Sequence, residues 1–203
     1  MNDNCTLYEI HPEESELIAS NDPEQFARLR HELHGEEFGE GEIYIGLLSM
    51  IRVLFLNADQ FLTNPDSLKQ KLAGSEHDFP PREALELGQA WHGLHYILTG
   101  EEDAAEPPDL IDFLIEGGDH WDWGDYGFRY YTPKEVHRLT ETLNGVPEVI
   151  FKERYQPEQM QKVYPREWNE REDLEWLVVS FVELRAFMNQ CQKNESGIVI
   201  TLN

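Results

Sequence analysis

Leu87-Gly88-Gln89-Ala90-Trp91-His92-Gly93-Leu94-His95-Tyr96-Ile97-Leu98-Thr99-Gly100 is the stretch that decides how the chain is read. Leu87, Trp91, Leu94 and Leu98 fall at i, i+4, i+7 and i+11, one apolar face of an α-helix. Ala84 and Leu85 extend the pattern backward, and Gly100 after Thr99 can take a left-handed C-cap. The spacing predicts a central helix over about 82–99.

Downstream, Asp109 to Glu116 is apolar in Leu110, Ile111, Phe113, Leu114 and Ile115, and it stops at Gly117-Gly118. An aromatic and acidic run follows, Asp119-His120-Trp121-Asp122-Trp123-Gly124-Asp125-Tyr126-Gly127, and then Phe128-Arg129-Tyr130-Tyr131 has strand composition. Thr132-Pro133-Lys134-Glu135 is a capping box with Thr132 as N-cap, Pro133 at N1 and Glu135 reaching back. It predicts a helix that buries Val136, Leu139 and Leu143 and closes at Asn144-Gly145. Gln156-Pro157-Glu158 begins a short helix before Tyr164-Pro165. A long helix runs from about Glu170 to Lys193, with Leu174, Leu177, Val178, Phe181, Leu184 and Met188 on its buried face. Ile198 to Leu202 is a closing strand rich in β-branched residues.

Upstream, Cys5 to Ile10 alternates weakly as a short strand, and His11-Pro12-Glu13-Glu14 starts a helix with Leu17 and Ile18 inward. Asp22-Pro23-Glu24-Gln25 starts another, with Phe26, Leu29 and Leu33 buried. Ile43 to Leu56 reads as a buried helix, and Leu68 and Leu72 mark a short amphipathic one. Helices interrupted by a few short strands predict a single α+β domain over 1–203, with helices packed on a small, mostly antiparallel sheet and a C-terminal helix followed by a strand.

The chain's 203 residues carry a formal net charge of −24. Half of that excess sits in residues 83–128, which hold 12 acids and no Lys or Arg. Such a field repels nucleic-acid phosphates and anionic lipid, and it favours a basic protein surface, a metal ion or a polyamine. Cys5 and Cys191 lie far apart and form no disulfide framework or metal spacing, as suits a reducing compartment. The first residues lack the basic and apolar regions of a signal peptide, and the longest apolar run is too short to span a bilayer. A cytoplasmic protein with neither nucleic-acid nor membrane partners is expected.

The motifs resemble those of the YfbM-like family of uncharacterised bacterial proteins. The resemblance rests on Ala90 to Gly100 and on Tyr126 to Val136. Tyr155, Pro157 and Met160, then Tyr164-Pro165 and Trp168, extend it, as does the closing helix and strand. It covers roughly residues 82–203, so that 38–81 reads as a variable insertion. Gly88-Gln89 stands where members often carry Asp-Lys. The resemblance implies an α+β fold and a cytoplasmic bacterial protein, and it implies no activity.

The chemistry-bearing residues fall into two groups. His92 and His95 sit three apart on one helix surface, without the Glu of a His-Glu-x-x-His metalloprotease. The structural reading of the pair places one ring against a backbone carbonyl and the other at the surface. Asp119, His120, Asp122 and Asp125 do not match a calcium loop. Interleaved with Trp121, Trp123 and Tyr126, they suit a receptor for Lys or Arg side chains. Arg129, the first cation after the acidic stretch, is expected to neutralise an acid such as Asp125 or Glu135. There is no nucleophile elbow and no phosphate loop. No catalytic residue, metal or cofactor is expected. The leading expectation is therefore a non-enzymatic acidic module, immunity-type or regulatory, that recognises a basic protein. The alternative is a small-ligand binder or enzyme with a pocket of Trp91, His92, His95, Tyr126 and Arg129.

Overall fold

The computed structural model describes residues 4–19, 83–121, 128–165, 167–169 and 172–202. The chain divides into two compact units, Met1–Glu16 with Arg82–Asn203, and Leu17–Pro81. Of the second unit only the end of one helix is described. The helices expected at 22–33, within 43–56 and through Leu68 and Leu72, and the insertion at 38–81, lie outside the described residues.

In chain order the elements are β1 (Cys5–Ile10), α1 (Pro12–Ala19), β2 (Ala84–Gly88), α2 (Ala90–Thr99), a 3-10 helix (Leu110–Leu114), β3 (Asp119–Trp121), β4 (Phe128–Tyr131), α3 (Pro133–Gly145), α4 (Val149–Arg154), α5 (Glu172–Lys193) and β5 (Gly197–Leu202). The strands form one sheet in the order β2-β1-β5-β4-β3, and every neighbouring pair is antiparallel. This is the α+β architecture expected from the element pattern.

The central strand explains the run Ile198-Val199-Ile200. All three side chains are fully buried, so both faces of β5 are covered and β-branched residues fill them. Register sets which side chains face the helices. Leu7 pairs with Ile200 on β5, and Arg129 of β4 pairs with the same residue from the other side. Tyr131 pairs with Ile198. Because side chains alternate along a strand, Arg129 and Tyr131 share the face on which Leu7, Ile198 and Ile200 join the main core cluster. Phe128 and Tyr130, both buried, take the opposite face.

The helix expected over 82–99 occupies only Ala90–Thr99. Residues 84–88 are instead the edge strand β2, paired with β1 through Leu85–Leu7 and Thr6–Glu86. Gly88 at φ +53° turns the chain from strand into helix, a backbone conformation that opposes a continuous helix through this point. Gly100 supplies the left-handed C-cap, its N–H donating to the Tyr96 carbonyl. Gly93, in the middle of α2, is required by packing. A Cβ there would lie 2.4 Å from the Trp168 ring and 2.8 Å from Leu177 of α5.

The capping box at Thr132 forms as predicted, with Glu135 N–H donating to Thr132 Oγ1 and Thr132 N–H donating to Glu135 Oε2. Val136, Leu139 and Leu143 are fully buried below it. The short helix expected from Gln156 is corrected. The helix lies earlier, at Val149–Arg154, and residues 156–163 form isolated turns closed by Met160 N to Gln156 O and Val163 N to Met160 O. Met160 and Val163 plug the core from these turns, both at 0% exposure, which fixes the segment without a regular helix.

Candidate functional site

The two sequence motifs meet on one segment, the acidic loop 101–109 and the 3-10 helix that follows it. His92 holds the loop from α2. Its Nδ1 accepts the backbone N–H of Tyr164 at 3.0 Å, which leaves Nε2 as the donor to the Glu102 carbonyl at 2.7 Å. The ring therefore ties α2, the loop and the 164 turn together as a neutral imidazole. It stacks on Trp91 at 4.9 Å between centroids, and Trp91 in turn stacks on Tyr164 at 6.3 Å. Trp91 is buried, so it serves this stack and the core rather than the surface.

His95, one turn further along, is completely buried. Its Nε2 donates to the Asp103 carbonyl at 3.3 Å. Its Nδ1 has no hydrogen-bond partner and faces Asp112 Oδ1 at 3.9 Å. Burial is the largest influence on this ring and lowers its pKa, against the opposing pull of the Asp103 carbonyl and the Asp112 carboxylate. Both histidines bind backbone carbonyls, so neither is the surface ring of the structural reading. Asp112 is itself occupied. Its Oδ2 accepts the N–H groups of Ala105 at 3.1 Å and Asp109 at 2.7 Å, closing a capping box at the start of the 3-10 helix.

The other end of the same 3-10 helix is held by β4. Arg129 is buried and donates from Nη1 to the Phe113 carbonyl at 2.8 Å and from Nη2 to the Leu114 carbonyl at 3.0 Å. Tyr131 donates to the Glu116 carbonyl at 2.9 Å. The guanidinium thus meets carbonyls at a helix C-terminus, where the backbone dipole favours a cation. Glu135, named above as a possible partner for Arg129, is taken by the Thr132 cap. Asp125 lies outside the described residues. A second cation, Arg154, caps α2 in the same way, donating to the carbonyls of Ile97 and Leu98.

Of the aromatic and acidic run, Asp119 and Trp121 lie on the edge strand β3, and Asp119 is exposed. Asp122, Trp123, Asp125 and Tyr126 lie outside the described residues. His120 is exposed and pairs with Glu116 at 2.8 Å. Among the described residues, no group of three or more His, Cys, Asp or Glu side chains is placed to hold a metal ion. Burial raises the thiol pKa of Cys5 to about 12 and that of Cys191 as well, so neither is a ready thiolate.

What faces solvent is the loop itself. Glu101, Asp103, Glu106 and Asp109 are exposed, as is Asp119 on β3. Lys162 reaches it with an ion pair to Glu102 at 2.6 Å. Spacing alone did not point to Glu102, Asp103 and Asp112 as the partners of the histidines. The one available signal was Asp109-x-x-Asp112, which has the spacing of a capping box.

Fold and site together define an α+β domain whose most distinctive helix, Trp-His-Gly-Leu-His, is spent on fastening an acidic loop. The chain belongs to the DUF1877 family, a domain of unknown function, which matches residues 1–201. Its fold is similar to that of a solved structure described as a protein of unknown function, YfbM from Escherichia coli. That match has a TM-score of 0.56 and 11% identity, and it covers 98% of this chain and 99% of that one. No curated protein matches the sequence. Among the described residues, no helix is long and apolar enough to cross a membrane.

Proposed function

We propose that the protein is a non-enzymatic binding module whose acidic surface recognises a basic protein. The observation that carries this reading is the loop 101–109. Its exposed acids stand in a stretch free of Lys and Arg, and its backbone is pinned by His92, His95 and Asp112. A loop whose backbone is already pinned has less freedom to lose on meeting a cationic surface, and the field of its acids steers the encounter. A regulatory or toxin-neutralising role is one instance, and two buried, unpaired thiols suit a cytoplasmic setting.

The test is affinity capture from the source cell at low and high salt. It compares wild type with a variant carrying Glu101→Gln, Asp103→Asn, Glu106→Gln and Asp109→Asn. A basic partner held at low salt, and lost both at high salt and in the variant, is expected. A set of captured proteins indifferent to salt and to the four substitutions overturns the reading.

One observation favours the alternative of a small-ligand or catalytic pocket: the unpartnered His95 Nδ1 opposite Asp112, the geometry of an acid–base pair. Against it, His95 is fully buried and Arg129 is spent on two carbonyls.

A further inference from the structure

We infer that the solvent face of α5 is a docking seam for a basic amphipathic helix of the partner protein. The core side of α5 is filled by Leu177, Ser180, Phe181, Leu184, Phe187, Met188 and Cys191. On its opposite side Glu175, Val179, Val182 and Ala186 recur at spacings of four, three and four, the heptad spacing of a helix–helix seam, and the row ends at Asn189, which pairs with Asn144 of α3. Its middle is apolar and open to solvent, with Val179 54% exposed, Val182 48% exposed and Ala186 exposed. Trp176, 36% exposed and stacked on Trp168 at 6.1 Å, borders it.

Helix formation does not call for these valines. β-Branched residues are poor helix formers, and a solvent-facing position is better filled by Glu, Lys or Ala. Two valines at seam spacing on the wet side of a core helix therefore point to a second helix that covers them. Charge selects the occupant. Glu172 and Glu183 are exposed along one flank, whereas Arg185 is turned back over the Phe181 ring at 5.2 Å. Two copies of this chain each carry −24, and that net charge opposes their association. A helix with Val, Leu or Ala in its seam and Lys or Arg beside it satisfies both the apolar middle and the acidic flank. The basic character of the partner rests on the function proposed above; the seam does not.

The experiment uses the full chain and three synthetic three-heptad peptides. The first has a Val/Leu seam flanked by Lys, the second is a scramble of the same composition, and the third carries Glu in place of Lys. Binding is read by fluorescence anisotropy at low and moderate salt, for wild type and for Val179→Asn/Val182→Asn, whose fold is checked by circular dichroism and melting. The basic amphipath is expected to bind about tenfold or more tighter than the scramble and to lose about that factor in the double variant. Equal binding of amphipath and scramble removes the seam and leaves the charge-based reading standing. Preference for the Glu peptide removes the basic partner, and the inference with it. Binding of none overturns both. Labelling of Val182→Cys in the free chain should be fast. Strong protection there means that the seam is already covered by this chain or a second copy, which overturns the inference.

Discussion

Two sets of side chains hold the segment 101–116, and they use different chemistry. From α2, His92 and His95 grip the carbonyls of Glu102 and Asp103. From β4, Arg129 and Tyr131 grip the carbonyls of Phe113, Leu114 and Glu116. A guanidinium keeps its charge at every pH a protein survives, and a phenol stays protonated well above neutrality. Imidazole changes state close to neutrality. One of the groups that fasten the exposed, acidic half, the buried ring of His95, is an imidazole whose pKa burial lowers, whereas the guanidinium and phenol that fasten the other half keep their state. Acid strong enough to protonate His95 should therefore loosen the loop at Asp103 while Arg129 and Tyr131 keep their hold.

The largest expected effect probes the support beneath the histidine half. Trp91→Ala removes a buried ring that stacks on His92 and Tyr164, and it should cost about 3–5 kcal/mol of unfolding free energy in urea titration. A near-wild-type midpoint would show that the histidines hold the loop without the stack.

The β4 half comes next. Arg129→Met takes the guanidinium from the Leu114 carbonyl and leaves the Phe113 carbonyl only the long Tyr131 hydroxyl contact at 3.4 Å, which should cost about 2–4 kcal/mol. Arg129→Lys should recover less than half of that, because one ammonium cannot span both carbonyls in the planar fork that a guanidinium offers. If Lys restored stability in full, charge alone, and not the two-pronged geometry, would account for the clamp.

The smallest effect is the one that separates the halves. Burial lowers the pKa of His95 from its ordinary 6.5 in the folded chain. Above that value the ring is neutral in both states, and its contribution to stability is complete. Below it the unfolded chain takes up a proton that folded His95 resists, so the contribution is lost as pH falls toward the lowered value. Relief of the −24 field acts the other way, since partial protonation of crowded acids favours the compact state. His95→Gln removes the first effect and keeps the second. Thermal melts from pH 7.5 to 5.5 should show wild type losing ground to the variant as the solution is acidified, and hydrogen exchange should locate that loss at 101–105. Parallel pH curves for the two proteins would show that His95 does not titrate against the fold, and the contrast between the halves would fail.

The uneven legibility of the chain has a physical pattern. The Thr132 cap, α3, α5 and β5 were readable because their signals are local: a capping box, a 3.6-residue period, a β-branched run. At 84–88, Leu85 and Leu87 alternate with the period of a strand, yet Leu87 also stands four residues before Trp91 and so continues the helical face of α2. The choice was made by β1, more than seventy residues earlier in the chain. The helical period places Leu177, Phe181, Leu184 and Met188 on the buried face of α5, where they lie, whereas Leu174 and Val178 are only partly buried. The valines opposite them became informative only once their exposure was known.

By itself the sequence determined the α+β class, the helix that carries the Trp-His-Gly-Leu-His motif, the ends of α3 and the concentration of charge ahead of Arg129. All of these follow from composition and from interactions spanning a few residues. Only the tertiary structure decided what the polar side chains do. The Tyr164 N–H that sets the tautomer of His92 comes from 72 residues away, and the partners of Arg129 are carbonyls rather than acids. Every residue carries a carbonyl, so nothing in a sequence marks which one a buried donor will find. That is settled when the elements pack and each buried polar group must be satisfied.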